Sequence, residues 1–177
     1  MFNKNDLEER FKKLGLTDFK WIDPKSIVVS HWVRMKCLYG CEDYGQMSPC
    51  PPNVPPIEEC RLFFQEYSYA AVFHFAKTFE NPDDRYPWLS KIFAKLSKLE
   101  QEVFFSGFNK AFLLFSCNMC KECPSERGAC DHPRVARPAP EALGIDVFST
   151  VQSIGYPIQV LKDYSEEMNR YGFLLID

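Results

Sequence analysis

Long apolar runs are missing from this chain of 177 residues. Uninterrupted stretches such as Ala111–Phe115 are far too short to cross a bilayer. The opening residues, MFNKNDLEERFKK, scatter charge throughout and offer no apolar core of the kind a secretory signal requires. An excess of positive charge is missing as well. With 21 Lys and Arg against 24 Asp and Glu, there is no global basic field to hold a nucleic-acid backbone or an acidic membrane surface. Histidines number three, and neither a Gly-rich phosphate loop, a nucleophile elbow nor a paired-His zinc helix occurs. These absences predict a cytoplasmic protein with no nucleic-acid and no membrane partner, whose thiols are kept reduced.

Aromatic residues make up 15% of the chain, 16 of them Phe, which argues against disorder and for a buried core. The length suits one domain over residues 1–177. Leu7, Phe11 and Leu14 recur at helical spacing over Asp6–Leu16, and Gly15 offers a stop. Ile27–Val29 reads as a short strand. Ser68–Phe75 and Lys110–Ser116 are nearly continuous apolar runs, as expected of strands covered on both faces. Between them Trp88, Leu89, Ile92, Phe93, Leu96, Leu99 and Val103 mark an amphipathic helix ending at Gly107. Such a strand–helix–strand unit predicts a parallel pair with a right-handed crossover, placing Cys117 at the carboxyl end of its second strand. Leu143 to Ile154 predicts a further helix, and Ile158–Leu161 and Tyr171–Ile176 predict closing strands. The expected fold is a single α/β domain with a mixed, mostly parallel sheet, flanking helices and two Cys/Pro-rich metal-binding loops, over 37–60 and 117–138.

Eight cysteines stand out against this background, and seven of them fall in two groups. The sharper group is Cys117-x2-Cys120-x2-Cys123, with six residues separating Cys123 from Cys130. Thiolates at successive intervals of three reach different corners of an iron–sulfur cubane from one tight loop. The longer gap before Cys130, and Pro124 after Cys123, depart from the bacterial ferredoxin run, yet Cys130 is placed to complete the same set. Zinc is the rival metal, because sites built from four cysteines, or from three cysteines and a histidine, are common and His132 follows Cys130 closely. The second group is Cys37-x3-Cys41 and, after a gap of eight residues, Cys50, with Gly40 and Gly45 allowing close backbone turns. Cys60 follows after a further gap of nine residues. Ile57, Cys60, Phe64 and Tyr67 share one face of a helix, which makes burial a competing role for that thiol. Prolines flank both groups: Pro49, Pro51, Pro52, Pro55 and Pro56 by one, Pro124, Pro133, Pro138 and Pro140 by the other, holding the chain in extended loops.

The combination of Cys37-Leu-Tyr-Gly-Cys41, Cys50-Pro51-Pro52, the Cys117–Cys123 run, Cys130-Asp-His132-Pro133 and Ala136-Arg137-Pro138-Ala-Pro-Glu141-Ala-Leu-Gly144-Ile145-Asp146-Val147 resembles a prokaryotic, Cys-rich family of predicted metal-binding proteins of unknown function. The closing Tyr171–Asp177 is similar too. This resemblance implies a metal site on Cys37, Cys41, Cys50, Cys117, Cys120, Cys123 and Cys130, without Cys60, and it implies no reaction.

Arg137 is the candidate cofactor-contacting side chain, since a guanidinium near sulfide or a substrate anion has a physical purpose. Arg134, Glu141 and Asp146 compete between tuning a cluster and serving as surface pairs or helix-terminal acids. His74, in an apolar strand, and His31 are expected as core or edge imidazoles. The function expected is that of a redox protein with one or two 4Fe-4S clusters, acting on a redox partner protein or a small-molecule substrate. A site with one open iron turns an electron carrier into a Lewis-acid catalyst. The alternative is a zinc-stabilised binding or regulatory module without redox activity.

Overall fold

The computed structural model describes residues 3–163 and 165–177. Its first helix, α1 (Lys4–Lys13), starts where the Asn3 side chain accepts from the Asn5 amide at 3.1 Å, and it buries Leu7 and Phe11. Strand β1 (Phe19–Ile22) follows, and then helix α2 (His31–Gly40) and helix α3 (Ile57–Gln65). Strand β2 (Tyr69–Lys77), the long helix α4 (Arg85–Phe105) and strand β3 (Phe112–Leu114) realise the expected strand–helix–strand unit. A short helix α5 (Val147–Ser153) and strand β4 (Met168–Ile176) complete the described elements.

The sheet order is β1-β2-β4-β3, and every neighbouring pair is antiparallel. This corrects the expectation of a mostly parallel sheet. β2 and β3 do run in the same direction, but β4 lies between them, pairing Val72 with Phe173 on one side and Leu114 with Phe173 on the other. Burial on both faces comes from helices above and below and is blind to strand direction, so the apolar runs alone did not reveal the insertion. On one face Ala71, Phe73, Leu113, Phe115, Leu174 and Ile176 pack with residues of α1 and α4. On the other, Val72, Leu114, Phe173 and Leu175 pack with Cys60 and Phe64 of α3 and Val147 and Val151 of α5. The sheet is thus the middle of three layers.

Three further expectations are revised. Ile27–Val29 is not a paired strand: Val29 makes only an isolated bridge to Ile145. Ile158–Leu161, which begins just after Pro157, has no strand assignment. The helix expected from Leu143 to Ile154 is split, because Gly144 turns left-handed at φ +79° between a 3-10 turn (Pro140–Leu143) and α5. Asp146 then restarts the chain as an N-cap, accepting from the Ser149 amide at 3.0 Å and hydroxyl at 2.6 Å.

Candidate metal centre

The second cysteine loop leaves the sheet where β3 ends. Phe115 donates its amide to Pro138 O at 3.0 Å, so the departure and return of the loop lie side by side. Helix α4 steadies the first strand of the loop, with Ser90 Oγ donating to Asn118 O at 2.9 Å. Amides of Val135 and Ala136 both donate to His132 O, at 3.0 and 2.9 Å, and fold the far end back. As a result Cys117, Cys120, Cys123 and Cys130 line one small cavity of about 20 Å³, together with His132, Met47 and Ser48.

The first cysteine loop begins on a helix that sequence periodicity did not reveal. Cys37 sits in α2, whose buried residue is Val33 alone, so no apolar stripe announces the helix. Past Cys41 the chain turns tightly: Gly45, at φ +73°, donates its amide to Pro51 O at 3.1 Å, and Cys50 donates to Met47 O at 3.0 Å. Arg34 ties this helix to its surroundings through Nη2, which donates to Pro55 O at 3.2 Å and to Ala142 O at 2.9 Å.

The two loops meet. Fully buried Ser48 of the first has its hydroxyl 3.7 Å from Cys123 Sγ of the second. Nearby, Asn53 Nδ2 donates to Ser125 O at 2.6 Å. Burial pushes the Cys50 thiol up to about 12, and neighbouring Cys37, Cys41 and Cys123 push in the same direction. Cys37 is raised by burial and by Cys41, against the opposing pull of Arg34. Cys117 is also raised by burial, although backbone N–H groups of Met119 and Arg137 donate to it and pull the other way. Reactive and disulfide-exchanging cysteines need lowered values, so the shifts run against a thiol nucleophile at Cys37, Cys50 or Cys117. Such thiols become thiolates when a cation draws the protons off.

A family profile described as "Predicted metal-binding protein (DUF2284)" matches residues 20–176. The chain belongs to this family. No curated protein and no solved structure gives a significant match.

All eight cysteines are free, with Cys41 and Cys120 exposed, Cys60 buried and the others half-buried. As placed among the described residues, no three His, Cys, Asp or Glu side chains are grouped to hold a single ion. The chemistry of the set nevertheless fits a thiophilic metal: four thiols and one imidazole line a common space, backbone N–H groups donate to Cys117, and the Ser48 hydroxyl contacts Cys123.

The remaining candidates separate cleanly. Cys60 belongs to the core, 2% exposed, with its thiol donating to Pro55 O at 3.5 Å, and lines neither cysteine cavity. Arg137 reaches the cysteines by its main chain. Its guanidinium is turned away, Nε donating to Glu100 Oε1 at 2.8 Å and Nη1 to Arg134 O and Ala136 O, both at 3.1 Å. Asp146 is a helix cap, as described. Glu141 lines a second cavity beside Cys37 and Cys41. His74 lies in β2 between Asp18 Oδ2 and Asn169 Oδ1, both at 2.7 Å, and His31 faces Glu58 at 3.0 Å. No described helix is long and apolar enough to cross a membrane.

Proposed function

We propose that the protein is a cytoplasmic iron–sulfur redox protein, with electrons passing to or from a partner protein or a small substrate. The observation that carries this reading is the set of four loop thiols, Cys117, Cys120, Cys123 and Cys130, on one cavity, with Cys37, Cys41 and Cys123 near enough to Cys50 to raise its thiol. The first set would hold one 4Fe-4S cluster and the second another. Bound there, a cluster supplies one-electron transfer, and a site with three protein thiolates adds an iron open to substrate. The chain's own part is electrostatic. The N–H groups of Met119 and Arg137 stabilise negative charge on Cys117, which would favour the reduced state of a cluster held there, and the Ser48 hydroxyl lies 3.7 Å from Cys123 Sγ.

Anaerobic reconstitution followed by iron and acid-labile sulfide assay and paramagnetic resonance tests the reading. Stoichiometric sulfide with a reducible paramagnetic signal is expected; stoichiometric zinc without sulfide rejects it. One observation favours that second outcome: His132 lines the same cavity as the four thiols. A zinc site of four cysteines, or of three cysteines and a histidine, would make the loops a rigid docking surface, redox-silent under voltammetry.

A further inference from the structure

A separate cavity of about 600 Å³ opens between the two cysteine loops, a size typical of small-molecule sites. Its lining draws on both loops, with Pro49 and Asn53 from one and Arg127 and Pro133 from the other. Apolar side chains form most of the wall: Val54, Phe63 of α3, Phe112 of β3 and Leu143, the two rings meeting edge to face at 5.4 Å. Two guanidiniums border this space and differ in whether a carboxylate meets them. Arg137 is neutralised by buried Glu100 and lies over the Phe112 ring at 5.4 Å. Arg127 donates Nη2 to Pro133 O at 2.7 Å and pairs with no carboxylate among the described residues. A guanidinium without a carboxylate partner, bordering an apolar cavity, is the complement of an anionic oxygen.

We propose that this cavity binds a small monocarboxylate with an apolar body, the carboxylate meeting Arg127 and the body lodging against Phe63, Phe112 and Leu143. A single guanidinium without a carboxylate partner matches a monoanion. Glu59 also lines the cavity, and its charge works against a dianion such as a phosphate monoester. The site does not depend on which metal the cysteines hold.

Calorimetric titration of the protein as purified, with its iron, sulfide and zinc assayed on the same sample, tests the proposal. The probes are 4-phenylbutyrate and a series of short fatty and arylalkanoic acids, each against its neutral amide. Saturable 1:1 binding of an acid is expected, about tenfold weaker for the amide and about tenfold weaker in Arg127→Gln, the scale of one charge-assisted hydrogen bond. Glu59→Gln is expected to tighten binding. Val54→Trp, which fills the cavity from its rim, is expected to abolish binding while metal content and thermal midpoint stay unchanged. Three results would each overturn the proposal: no saturable binding by any acid at millimolar concentration, equal binding of acid and amide, or parental affinity in both Arg127→Gln and Val54→Trp. Because the metal assay is separate, a zinc-loaded sample that binds the acid refutes the cluster and not the carboxylate site.

Discussion

Arg137 sits in a motif dense with prolines beside the cysteines, yet its side chain answers to a residue 37 positions upstream. Glu100 Oε1, on the buried face of α4, accepts both Arg137 Nε and the Leu113 amide, each at 2.8 Å. Only 6% of the Glu100 side chain and 19% of the Arg137 side chain is exposed, so removing one charge strands the other out of water. Arg137→Met is expected to lose about 3 kcal/mol in urea denaturation. Adding Glu100→Gln is expected to recover part of that loss. Metal content should not change in either variant, because the contact to Cys117 is made by the backbone N–H of residue 137. A drop in bound metal in Arg137→Met would return the guanidinium to the metal site. Cys60 gives the opposite lesson: its spacing from Ile57 and Phe64 marks a helix face without any structure, and all three are buried. Cys60→Ala is accordingly expected to keep full metal content and to cost about 1 kcal/mol of stability, whereas Cys123→Ala should lose metal. Local periodicity was readable; the Glu100–Arg137 pairing was not, since no local pattern links a helix face to a distant loop.

At the scale of elements, β4 shows what apolar patterning conveys and what it omits. Phe173–Ile176 is unbroken and fully buried, as befits an interior strand, but pairing partners and direction are settled by tertiary contacts. The expected helix from Leu143 to Ile154 failed for a more local reason. Gly144 has a left-handed φ, and a Cβ there would stand 2.3 Å from Ile57 Cδ1 and 3.4 Å from Val29 Cγ1. Gly144→Ala therefore combines backbone strain with overpacking and is expected to lower stability by about 2 kcal/mol, read as a shift in denaturation midpoint. The same elements carry a pH dependence. Burial pushes the Tyr171 phenol of β4 up to about 12, aided by Asp18, and burial does the same for Tyr67 after α3, aided by Glu66 and Glu100. In the unfolded chain these groups ionise near 10. The unfolded state thus loses protons first, and stability, complete below pH 10, falls as pH rises towards 12. Thermal midpoints measured across that range should decline, and Tyr171→Phe should flatten the decline; a midpoint level across the range would refute the assignment.

Across the whole molecule, the cysteines and the core are almost separate systems. Both faces of the sheet are packed with apolar side chains, and among the described residues Cys117 alone of the seven loop cysteines packs against a core cluster. The loops themselves are held by scattered hydrogen bonds, with one 3-10 turn (Arg127–Ala129) as the regular element between β3 and Pro140. Small zinc domains unfold without their metal because the metal substitutes for a core. Here a core exists on both sides of the sheet, so metal removal is a local event. Anaerobic chelation is expected to preserve the far-ultraviolet dichroism and a cooperative thermal transition. Hydrogen exchange should then accelerate selectively over 41–56 and 117–138, and β2 and β4 should remain protected. Because Ser48 meets Cys123 and Asn53 meets Ser125, loss of metal from either loop should loosen both together. Acceleration confined to one loop would show that the two cysteine groups act independently, and collapse of the sheet would show that the metal, rather than the apolar core, holds the fold.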